Sequence, residues 1–90
     1  MRSVEELIGW TPDDEDAPAM YVTPAGYVRT RAHVDDLAGW LDGQGRRWGL
    51  HHDYDGRAWW VNPIHNLDVE RFPTIREALV AAVRKVTGDE

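Results

Sequence analysis

The sequence predicts an α+β domain: a two-layer sandwich with an antiparallel four-stranded sheet from two hairpins and helices on one face, in the order α-β-β-α-β-β-α. Three observations predict it. Two segments carry β-branched and aromatic residues around turn signals, Pro24-Ala25-Gly26 and Asp53-Tyr54-Asp55-Gly56. Two others place apolar residues at helical spacing between recognisable caps. With 90 residues there is room for one small core, so the elements share it as a single domain, 1-90.

Ser3 followed by Glu6 reads as a capping box, with Val4, Leu7 and Ile8 as a short apolar stripe that Gly9 and Pro12 stop. The stretch 11-18 sets four consecutive acids between prolines and reads as a solvated, mobile acidic loop. Ala19 to Thr23 and Gly26 to Thr30 form the first hairpin, with Met20 and Val22 on one face and Tyr21 and Thr23 on the other. Val34, Leu37, Ala38 and Leu41 then fall at i, i+3, i+4 and i+7, with Thr30 as expected N-cap and Gly43 just past the end.

Arg47 to His52 and Arg57 to Val61 form the second hairpin. With a two-residue Asp55-Gly56 turn, Trp48, Leu50, His52 and Tyr54 share a face with Trp59 and Val61; a type I turn with a bulge substitutes Trp60 and Asn62. The first register makes the more uniformly apolar face and is preferred. The closing helix has the capping box Thr74-Ile75-Arg76-Glu77, a stripe of Ile75, Leu79, Ala82, Val83 and Val86, Arg84 and Lys85 in its last turn, and Gly88 as its stop. Hairpin-then-helix occurs twice, but the halves share no matched residues beyond a turn glycine.

Composition excludes several function classes. A 42% hydrophobic content is globular rather than disordered, and the absence of Cys removes disulfide scaffolds, thiolate zinc sites and thiol nucleophiles. The acidic residues that follow Met1-Arg2-Ser3 sit where a signal peptide has its apolar region, and no apolar run is long enough to span a bilayer, so the expected location is cytoplasmic, without membrane contact. The formal net charge is -6, all of it in residues 1–45, which hold nine acids against three bases; residues 46–90 balance at seven of each. Such a surface repels phosphate backbones, so nucleic acid is not an expected partner, whereas a basic protein surface is.

No catalytic constellation is visible. Ser3 is the sole serine and reads as a cap, Asp53 and Asp55 suit turn geometry, and neither GxGxxG nor GxxxxGK[ST] is present. No enzyme activity and no cofactor are expected. His51 and His52 are adjacent and point to opposite faces, so they do not share one metal; His51 with Asp53, completed by His65 or His33, is the alternative reading, a small-ligand or metal module. The tryptophans are more telling. Trp59 and Trp60 are sequence neighbours on opposite strand faces, so the one left uncovered by helix is a candidate interface anchor, for a partner or for a homodimer. The expected partner-binding residues are therefore Asp13, Asp14, Glu15, Asp16, Asp35 and Asp36, which steer a cationic partner, together with Trp59 and Trp60.

The order Gly9-Trp10 after a short helix, a second helix, the hairpin WGLHHDYDGRAWWVN and the closing FPTIREALVAAVRKV resembles small phage and prophage proteins of the "ABA sandwich" type. That family's central motif has no clear counterpart between Tyr27 and Leu41. The resemblance implies a phage-borne accessory protein whose biochemical role is itself undefined, and carries over no catalytic residue.

Overall fold

Short-range capping starts each helix. Ser3 accepts the Glu6 amide through its side chain and opens α1 (Val4–Leu7), while Thr74 does the same for Glu77 at the head of α3 (Ile75–Thr87). Gly88, at φ 79°, closes α3 in the left-handed conformation that L side chains resist. In α2 (Val34–Asp42) the expected cap moves from Thr30 to His33, whose amide donates to the Asp36 carboxylate at 2.8 Å. The chain from Thr30 to Ala32 stays outside the helix, and Ala32 is fully buried. The computed structural model describes residues 2–14, 16, 18–53, 55, 58–64 and 71–89.

The protein is α+β with three helices, but its strands make two small antiparallel sheets instead of the single four-stranded sheet of a two-layer sandwich. The first is a meander of β1 (Thr11–Pro12), β2 (Tyr21–Val22) and β3 (Val28–Arg29); the second is a hairpin of β4 (Gly49–His52) and β5 (Trp59–Asn62). Local chain takes the second edge of β2 and of β5. Thr11 and Pro12, expected at the start of the acidic loop, pair with Val22 and Tyr21. On the far side of β5, Trp59 and Phe72 exchange N–H···O bonds of 2.7 and 2.9 Å. Once those donors and acceptors are used, no backbone edge of β2 or β5 remains for the other hairpin.

The hairpin register pairs Leu50 with Val61 and His52 with Trp59 on one face, and His51 with Trp60 and Gly49 with Asn62 on the other. The side-chain alternation is that of the preferred register, and the Asp53 amide donates to Ala58 O at 2.9 Å at the end of the ladder; Tyr54, Gly56 and Arg57 lie outside the described residues. The ladder ends at Gly49 opposite Asn62, one residue before Pro63.

Helix α3 is the hub, touching α1, α2 and β5. Its Ala78, Leu79, Ala82 and Val83 are buried and meet Leu37 and Leu41 of α2 and Val61 of β5 in one core that also takes in Val4, Ile8, Trp10 and Tyr21. Truncating such a leucine to alanine costs about 2–5 kcal/mol. The meander is fastened to this core by Tyr21, whose hydroxyl donates to Ser3 Oγ at 3.2 Å, and by Arg29, which lies over the Trp10 ring and bridges to Asp36 at 3.4 Å.

Candidate functional site

Strand alternation gives the meander two unlike faces. Tyr21 is buried and Arg29 is held against Trp10 and Asp36, so Pro12, Tyr21 and Arg29 face the core. The opposite face carries Thr11, Val22 and Val28, cross-strand neighbours in that order. Val22 is 40% exposed, Val28 60%, and Tyr27 beside the turn 70%; these are the exposed large apolar side chains among the described residues, and all three belong to this one sheet. Thr23 shapes the turn by accepting the Tyr27 amide on its hydroxyl and the Gly26 amide on its carbonyl.

The acidic residues flank this sheet. Asp13 continues the ladder, its amide donating to Met20 O, and its carboxylate accepts the Ala19 and Met20 amides at 3.1 and 3.2 Å. Asp14 accepts the Asp16 amide at 2.9 Å. Asp13 and Asp14 therefore shape the loop as well as charging it. Asp36 is occupied by Arg29 and the His33 amide. Asp16 and Asp35 are exposed, with no side-chain partner among the described residues. Glu15 lies outside the described residues.

On the hairpin the two adjacent indoles separate as alternation requires. Trp59 packs against the core, with His52 tilted across it at 4.9 Å between ring centroids. Trp60, on the other face, is half-buried; His51 stacks with it at 6.0 Å and the Arg71 guanidinium sits 5.7 Å from its centroid. Asp53 holds Arg71 at 3.4 Å. A polar cavity of about 250 Å³ opens beside this cluster, lined by Arg47, Trp48, Gly49, His51, Asn62 and Pro63. Trp48 packs on the core and spends its indole N–H on Asp42 at 2.8 Å.

Among the described residues His33 and His51 stand on separate elements. His51 is on the outer face of β4 stacked with Trp60, Asp53 is turned to Arg71, His33 caps α2, and His65 lies outside the described residues. Among the described residues no group of three or more His, Asp or Glu is placed to hold one metal ion. Nor is any described helix long and apolar enough to cross a membrane.

The sheet patch of Val22, Tyr27 and Val28 was missed in the sequence, although a signal for it existed. A half-buried antiparallel hairpin should be polar on its outer face, yet Met20, Val22 and Val28 put three apolar residues there. The molecule defined by these features is a small α+β domain with an apolar, acid-flanked surface. No family model, no curated protein and no solved structure matches the chain.

Proposed function

We propose that this protein is a non-catalytic binding module that docks a cationic protein surface on the outer face of the β1–β3 meander. The observation that carries the reading is the pairing of exposed Val22 with exposed Val28 on the outer face of a sheet whose β1–β2 connection is acidic. Apolar side chains give a contact affinity when covered, at roughly 25 cal/mol per Å² before the cost of association is subtracted. Asp14, Asp16 and Asp35 supply the charge that raises the encounter rate with a basic partner. Asp13 and Asp36 add to the same negative field while holding the loop and the α2 cap.

Trp60 belongs to the other sheet, so the reading assigns the anchor to Val22 and Val28 and makes Trp60 the control. The resemblance to small phage proteins supports an accessory role. The test is capture of the partner by the full chain, followed by salt titration of the purified pair. Binding should weaken steeply with salt, be lost in Val28→Ala, fall in the double charge reversal Asp14→Lys with Asp16→Lys, and survive Trp60→Ala. Loss in Trp60→Ala with retention in Val28→Ala would move the site to the hairpin and overturn the assignment.

A further inference from the structure

Strand β3 is an outer strand of its sheet, and its free edge has a defined hydrogen-bonding phase. The Thr23 amide donates to Tyr27 O at 2.8 Å, which makes 23 and 27 a hydrogen-bonded pair; by alternation Val22 and Val28 are a non-hydrogen-bonded pair. The N–H and C=O of Val28 therefore point away from β2, and among the described residues nothing takes them up. Such an edge templates another strand.

We infer that the chain forms a two-fold symmetric dimer by antiparallel pairing of β3 with the same strand of a second copy, centred on Val28. A two-fold contact needs a self-complementary patch, and Val28 meets that condition: each copy donates its amide to the other and accepts the other's in return. In this register Tyr27 falls opposite Arg29 of the second copy, an aromatic ring against a guanidinium already positioned by Trp10 and Asp36. The apolar row then runs unbroken from Val22 through both Val28 residues to the second Val22.

Pairing centred on Val28 sets no arginine directly opposite its own copy: Arg29 falls opposite Tyr27 and Arg31 opposite Ala25 of the second copy. The segment from Ala25 to Arg31 contains Arg29 and Arg31 and no acid. The acidic loop joins β1 to β2, so pairing through β3 leaves the two loops at opposite margins of the joined sheet. Two chains of net charge -6 repel least in that arrangement. The contact uses an edge instead of a face, so it goes beyond the docking reading, stands without it, and leaves the apolar face doubled and open.

The test is sedimentation equilibrium of the full chain over a wide concentration range, with amide hydrogen exchange at both extremes. The mass should rise from one chain towards two, and exchange at the Val28 amide should slow on the order of tenfold at the high end. Val28→Lys, which sets two ammonium groups face to face, and Val28→Pro, which deletes the outward N–H, should both remain monomeric with unchanged circular dichroism. Should the proline variant unfold, the lysine variant decides. A monomer at every concentration, a dimer that persists in Val28→Lys, or exchange at Val28 independent of concentration would overturn the inference. So would a dimer dissolved by Trp60→Ala alone, which would put the interface on the hairpin.

Discussion

The meander and the hairpin each have an outward face bearing large side chains, and they treat those side chains differently. On the hairpin, Trp60 is engaged by the chain's own His51 and Arg71, with Asp53 holding the arginine. On the meander, Val22, Tyr27 and Val28 stay exposed, at 40 to 70%. The contrast teaches that the size of an aromatic side chain is a poor guide to where a surface is unsatisfied. An indole on a four-residue ladder has cross-strand neighbours within reach; a valine on a two-residue strand at a sheet edge has few.

The largest expected effect lies within the hairpin itself. Trp59→Ala empties a core-facing site and should cost about 3 kcal/mol by urea denaturation, whereas Trp60→Ala should cost about 1 kcal/mol. Equal losses would mean that both faces of β5 are core and would break the contrast. Next comes Asp13→Ala, which strips the Ala19 and Met20 amides of their acceptor and should cost about 1 kcal/mol, with faster amide exchange at Met20. Arg71→Ala should cost about 0.5 kcal/mol and shift tryptophan emission to the red as Trp60 gains water. Smallest of all, Tyr27→Ala should change stability in urea denaturation by no more than about 0.5 kcal/mol, because an exposed ring has little to lose within its own chain.

Some of this was legible in the sequence. Ser3 and Thr74 cap the helices read from their capping boxes, Gly88 stops α3 in the left-handed conformation, and the Thr23–Tyr27 turn forms where Pro24-Ala25-Gly26 places it. The candidate surface was legible only in its acids. Asp14 and Asp16 are in the loop and Asp35 is exposed on α2, as charge patterning indicates, but which face of the first hairpin stays uncovered depends on where the helices pack. Thr11-Pro12 has neither period nor propensity to mark it and becomes β1 only because β2 offers it an edge.

The sequence by itself determined the helices, the turns and the alternation that separates Trp59 from Trp60, because capping, turn geometry and strand parity act over a few residues. Tertiary structure alone decided that the strands divide into two sheets and which of the two indoles packs on the core. It also decided that Val28 faces outward on a free edge. The division into sheets depends on which segments take the same backbone groups, and in the folded chain Thr11-Pro12 and Phe72 hold those of β2 and β5; the indole and Val28 follow from where the helices pack.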